Sequence, residues 1–186
     1  MGNLTLILGG ARSGKSTFAL NLAEKIRGGV AFIATAQAGD PEMAARIAAH
    51  QRQRPADWRT LEIPHAIAAT WLGQEIDADL IILDCLTLLV SNLAVMASPD
   101  VDHPYEGKFT ELVRSEINTL IDLIQNSPGE WIVISNEVGL GLVPPYPLGR
   151  IYRDWLGWAN QRLATVASEV YLLVAGIPVP IHNYRL

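Results

Sequence analysis

Apolar residues along this chain occur in two alternating kinds of run. Short, near-continuous runs of strand length occur at residues 4–8, 30–36, 80–86, 130–138 and 169–177, with a weaker one at 57–63. Near-continuous runs suit strands buried on both faces. Between them lie longer stretches whose apolar positions recur three and four apart, the spacing of a helix packed on one side. Residues 16–27 place Phe18, Ala19, Leu22, Ala23 and Ile26 in this way, and Gly28-Gly29 ends the pattern. Residues 40–54 open with Asp40 as N-cap, Pro41 at the first helical position and Glu42 in the first turn, and Pro55 stops the helix. Residues 64–71, 109–125 and 150–168 read as further helices. The acidic, Pro-containing segment 97–107 and the Gly/Pro-rich segment 139–147 read as loops. Strand and helix alternate, which predicts a mostly parallel sheet with helices on both faces. No repeat, low-complexity tract or linker divides the chain, so residues 1–186 are expected to form a single domain.

Composition adds limits. Apolar residues make up 49 % of the chain, an ordinary globular value. Fourteen basic and nineteen acidic residues give a net charge of −5, which argues against a general nucleic-acid binder but not against anionic ligands. The single cysteine, Cys85, permits no internal disulfide. Together with the lack of a signal-type start or a membrane-length apolar run, it leads to the expectation of a cytoplasmic enzyme.

The first run leads into "GGARSGKS", which fits G-x-x-x-x-G-K-[ST] with Gly9, Gly14, Lys15 and Ser16 at the fixed positions. Glycines let the backbone curl so that several N–H groups meet one anion, Lys15 reaches the β- and γ-phosphates, and the Ser16 hydroxyl ligates Mg²⁺. The helix that follows adds its N-terminal partial charge. A strand before and a helix after are the context a phosphate loop requires. The expected architecture is therefore a P-loop NTPase domain of RecA-like type. The strand at 80–86 supplies Asp84 at its end as the acidic partner of the Mg²⁺. Two classes stay open: a small-molecule kinase or nucleotidyltransferase, and a nucleotide-dependent switch. The base-reading N-K-x-D of switch GTPases is missing, and the Arg-bearing segment lies early, at 46–59, rather than in a late lid.

Arg46, His50 and Arg54 are spaced by four, which places them on one helix face, with Met43 and Ile47 near it to seat the helix. An imidazole between two guanidiniums is disfavoured in its charged form. As a neutral base it is a candidate nucleophile toward phosphorus, with the arginines neutralising developing charge. Spacing alone does not separate this from a solvated face with a surface histidine.

"GGARSGKS", "FIATAQ", "DPEMAARIAAHQRQRPADWRTLE", "NEVGLGLVP", "NQRLA" and "VAGIPV" follow one another in this order over nearly the whole chain. In this set the sequence resembles the bifunctional adenosylcobinamide kinase / adenosylcobinamide-phosphate guanylyltransferases of cobalamin biosynthesis. The resemblance implies that ATP or GTP phosphorylates adenosylcobinamide. GTP then guanylylates a histidine, and GMP passes to the cobinamide phosphate to give adenosylcobinamide-GDP. It implies His50 as the guanylylated nucleophile and Lys15 as a catalytic cation. Nucleotide contacts are implied at Gly9, Gly10, Ala11, Arg12, Ser13, Gly14, Lys15 and Ser16, at Thr35, Ala36 and Gln37, at Gln51, Arg52, Gln53 and Arg54, and at Glu62 and Asp84. Mg²⁺ is implied through Ser16 and Asp84, and the assembly is implied to be a homotrimer. Two positions depart from the family pattern: Asp84 stands where Glu is frequent, and Ala49 where some members carry a second histidine.

Glu137 ends a strand, where it could orient Mg²⁺ or the acceptor, or simply pair with Asn136. Gly139 and Gly141 read as turn residues of the loop that follows. Asn160 and Gln161, beside Trp155 and Trp158, read as packing or subunit contacts. Asp100, Asp102 and His103 read as a solvated loop rather than a metal site, His65 as a helix-start residue, His182 as an exposed tail residue, and Cys85 as a small buried hydrophobe.

Overall fold

The computed structural model describes residues 2–52, 54–74, 76–98 and 100–181, with Arg46 described in its backbone only. Gln53 and His182 lie outside the described residues, as does the Arg46 side chain. Among the described residues, seven strands form one sheet in the order β3-β2-β4-β5-β1-β6-β7. β1 (Leu4–Gly9), β2 (Val30–Ala34), β3 (Arg59–Glu62), β4 (Leu80–Asp84), β5 (Glu130–Ile134) and β6 (Glu169–Val174) pair in parallel. Only β7 (Ile177–Pro180) runs antiparallel, against β6.

Both faces of the sheet are covered, as the continuous apolar runs require. Leu6, Ile33, Ile81, Leu83, Trp131 and Val133 face α3 (Ile67–Leu72), α4 (Leu86–Ala97), α5 (Glu106–Asn126) and α6 (Pro147–Val166). The alternate residues Ile7, Phe32, Ile82, Ile132 and Ile134 face α1 (Lys15–Ala23) and Trp58. α2 (Pro41–Arg52) differs from the rest: none of its described side chains is fully buried. Its N-terminus is capped as expected, the Met43 N–H donating to Asp40 Oδ1 at 2.8 Å. It is seated near the C-terminal ends of the strands instead of in the core.

Several features differ from the pattern reading. The run after Asp84 is not all strand: α4 begins at Leu86 and continues to Ala97. A continuous apolar stretch has no period that separates a buried strand from a buried helix, and the turn at Cys85 is set by tertiary contacts. α1 ends at Ala23, ahead of the Gly pair, through bonds of the Lys25 and Ile26 N–H groups to Leu22 and Ala23 carbonyls. The final run is a hairpin, β6 and β7, whose turn holds Ala175 and Gly176 both at positive φ, 51° and 83°.

Candidate active site

β1 delivers the chain into the loop 9–14, and α1 leaves it. Three of its residues adopt positive φ: Gly9 at 154°, Arg12 at 57° and Gly14 at 96°. A Cβ on Gly9 would lie 2.7 Å from the Leu173 carbonyl oxygen, so the loop packs directly on β6 and needs glycine there. The hairpin turn braces the loop from the same side, the Gly176 N–H donating to the Ser13 carbonyl at 2.9 Å. Lys15 is buried, and its ammonium donates to the Gly9 and Gly10 carbonyls at 3.0 and 2.7 Å. Burial lowers its pKa, against the pull of Cys85 and Asp84.

Asp84 ends β4 beside this loop, and the Ser16 hydroxyl donates to its Oδ2 at 3.4 Å. Desolvation raises the Asp84 pKa, opposed by the charges of His50, Arg54 and Lys15 and by the Ser16 bond. The first turn past β2 places Ala36 on the cavity wall, together with Met43, Ile47, His50, Arg54, Asp84, Cys85 and Asn136. This cavity measures about 290 Å³. A narrower cleft joins His50, Arg54 and Asp84 to Ser16 and Phe32. The structure thus brings His50, Arg54, Asp84 and Ser16 around one space next to the phosphate loop.

Arg54 reaches that space by a different route from the one its spacing suggests. The helix stops at Arg52, ahead of Pro55, and Arg54 lies in the bend beyond it, its N–H bonded to the Gln51 carbonyl at 3.2 Å. Its guanidinium stacks over the Phe32 ring at 3.7 Å, and burial lowers its pKa. Nη1 of this guanidinium is buried with no hydrogen-bond partner among the described residues. Gln51 turns the other way, donating to Glu62 Oε1 at 3.0 Å. Arg52, Glu62, Gln37, Gly10, Ala11 and Arg12 are exposed.

Thr35 is fully buried and spends its hydroxyl on the strand junction, donating to the Cys85 carbonyl at 2.7 Å and accepting from the Cys85 N–H at 2.9 Å. Cys85 itself is half-buried on the cavity wall, and desolvation pushes its thiol up to about 11. Asp100 accepts from the Asp102 and His103 N–H groups at 2.9 and 3.3 Å in an exposed turn. Among the described residues no three His, Cys, Asp or Glu side chains gather to hold a metal.

Two supporting residues escaped the pattern reading. Asn92, inside α4, donates from one amide to the carbonyls of both Thr35 and Pro64, at 2.8 and 2.9 Å. Thr87 Oγ1 accepts the Asn136 N–H at 2.8 Å. Both are polar residues set in the mostly apolar α4, and that was the available signal for each. Asn160, expected as a packing residue, is buried, and its amide donates to the Asn136 carbonyl at 3.1 Å.

The sheet order, the phosphate loop and the facing strand-end acid define the class: a P-loop nucleotide-binding protein of RecA-like architecture. Among solved structures, the assembled type III secretion ATPase EscN of enteropathogenic E. coli is similar in fold, with a TM-score of 0.54 and 13 % identity over 94 % of this chain and 43 % of that one. The model of the cobinamide kinase / cobinamide phosphate guanyltransferase family matches residues 5–181. The chain belongs to that family. It is 44 % identical to the bifunctional adenosylcobalamin biosynthesis protein CobP of Pseudomonas aeruginosa, over 97 % of this chain and 98 % of that protein. It is 41 % identical to CobU of Salmonella typhimurium, which bears the same description, over 96 % of this chain and 99 % of that protein. No helix among the described residues is long and apolar enough to cross a membrane.

Proposed function

We propose that one nucleotide site serves two transfers. In the first, the hydroxyl oxygen of adenosylcobinamide attacks the γ-phosphorus of ATP or GTP, and the bond to the β-phosphate breaks. In the second, an imidazole nitrogen of His50 attacks the α-phosphorus of GTP and pyrophosphate leaves. An oxygen of the cobinamide phosphate then attacks the histidine-bound phosphorus, the P–N bond breaks, and adenosylcobinamide-GDP forms. Splitting the guanylyl transfer in this way lets one site meet two bulky partners in turn.

The observation that carries this reading is the shared space lined by His50, Arg54, Asp84 and Ser16. Arg54 offers a buried, unpartnered N–H there, a donor whose desolvation a phosphate oxygen would offset. The loop 9–14, with Lys15, holds the remaining phosphates. Gln51, Arg52, Glu62, Thr35, Ala36 and Gln37 surround the nucleotide, Thr35 acting through the backbone position it fixes; Gln53, expected with them, lies outside the described residues. Mg²⁺ suits the pairing of the Ser16 hydroxyl with the half-buried Asp84 carboxylate, two hard oxygen donors at one point. When bound, it would neutralise triphosphate charge. The same reading takes the whole chain as one catalytic domain, working as a homotrimer in the cytoplasm.

Incubation with GTP labelled at the α-phosphate, followed by denaturation, tests the covalent step. The protein should retain an acid-labile, base-stable label, and His50→Ala should abolish it. Retention of the label in that variant refutes the assignment. GTP hydrolysis without transfer to cobinamide would favour the switch class instead.

A further inference from the structure

A groove of about 650 Å³, separate from the cavity that His50 lines, opens between the end of β5 and α6. Its walls include Leu8, Glu137, Gly139, Trp158 and Gln161. Leu8 is the residue before Gly9, so the groove meets the start of the phosphate loop. Leu8, Trp158 and Ala164 share this lining with Arg153, Asp154 and Gln161, so the groove suits an alcohol carried on a bulky molecule that presents both apolar and polar groups.

Glu137 is held there through its own N–H and both backbone groups of Asn136. The Asn136 N–H donates to Thr87 Oγ1, and the Asn136 carbonyl accepts from Asn160, at 2.8 and 3.1 Å. The Glu137 N–H donates to the Gly9 carbonyl at 3.2 Å, the same oxygen that Lys15 contacts. Side-chain geometry is also set: Oε1 accepts the Gly139 N–H at 2.8 Å. Oε2 has no hydrogen-bond partner among the described residues. A Cβ on Gly139 would lie 2.9 Å from Oε1, so glycine is what lets the loop close on this carboxylate. So rigid a mounting is more than a surface glutamate needs, and it is what a reacting group requires.

We propose that Glu137 is the base of the phosphorylation step and that this groove holds the acceptor. The acceptor hydroxyl donates to Oε2. As its oxygen bonds to the γ-phosphorus and the bond to the leaving β-phosphate breaks, its proton passes to the carboxylate. Glu137 takes no part in the attack by His50, which lines a different cavity. This assignment rests on the two-transfer reading above.

The test measures two half-reactions on the full-length protein. Transfer of γ-label from GTP to adenosylcobinamide reports phosphorylation, and α-label on the protein reports guanylylation of His50. Glu137→Gln should lower the phosphorylation kcat about 100-fold or more, with the KM for GTP and the α-label unchanged. Gly139→Ala, which displaces the carboxylate, should lower the same rate in the same direction. Gln161→Trp, which fills the groove from an exposed position, should raise the acceptor KM about 10-fold and leave the α-label intact. Phosphorylation by Glu137→Gln within threefold of wild type overturns the proposal. Equal loss of both half-reactions overturns it too, because Glu137 would then serve the shared triphosphate site. Absence of both in the wild-type protein overturns the two-transfer reading itself.

Discussion

Replacing Asn92 by alanine should destabilise the protein and disturb the histidine helix together. One amide group donates to the carbonyls of Thr35, just past β2, and of Pro64, just past β3. These two points begin and end the excursion that carries α2 and His50. Both neighbours are acceptors, so only the NH₂ group can face them. Each lost bond is worth about 1 kcal/mol, and the carbonyls left short of partners add to the loss, for a total of about 2–4 kcal/mol. For a chain of this size each kcal/mol moves Tm by about 2–4 °C, so the midpoint should fall by roughly 4–16 °C. Thermal unfolding followed by circular dichroism gives the shift, and a urea titration at constant m-value gives the energy. Asn92→Asp separates bond loss from lost packing, because it keeps the volume and points a carboxylate at two carbonyls. It should be at least as unstable as the alanine variant at neutral pH, and recover partly in acid, where a protonated carboxyl restores one donor. The rate of α-label incorporation at His50 should fall in both variants. A midpoint within 1 °C of wild type in both would refute the clasp.

Other outcomes follow from the same structure. Lys15→Ala should reduce phosphorylation and His50 labelling alike, each by roughly 100-fold, because both use one triphosphate site; normal phosphorylation in that variant would exclude a shared site. The pKa of Asp84 is raised, chiefly by desolvation. Its contribution to folding is therefore favourable below the usual carboxylate range and lost as pH rises through its raised folded value. Asp84→Asn should consequently raise Tm of the ligand-free protein at pH 7.5, with the gain shrinking in acid, while nucleotide binding weakens; a lower Tm at pH 7.5 contradicts the sign. With its thiol pushed up to about 11, Cys85 should react with iodoacetamide at pH 8 roughly 100-fold more slowly in the folded protein than in urea; equal rates would show that its burial is not maintained in solution.

The covering of both sheet faces was legible because continuous apolar runs have few other uses. The phosphate loop was legible because its glycines and lysine are local requirements of one backbone shape. The cap at Asp40 is likewise local and appears where the residues put it, whereas the helix ends at Arg52, short of the expected stop at Pro55. The stretch 80–97 was not legible in full, since an apolar run carries no mark of where strand gives way to helix. Tertiary bonds set that turn, among them those between Thr35 and Cys85.

What the sequence determined by itself was the inventory: a phosphate cradle, a strand-end acid, and a histidine helix flanked by arginines. Which of these groups meet was decided by the fold. Arg54 joins the site not through helical spacing but by folding back over Phe32 beyond the helix end. Glu137 gains its setting from Gly9, Thr87 and Asn160, three residues on three other elements. Local patterns record only what neighbours along the chain require. A site at the ends of parallel strands is assembled from loops far apart in sequence, so its geometry exists only once the sheet has aligned them.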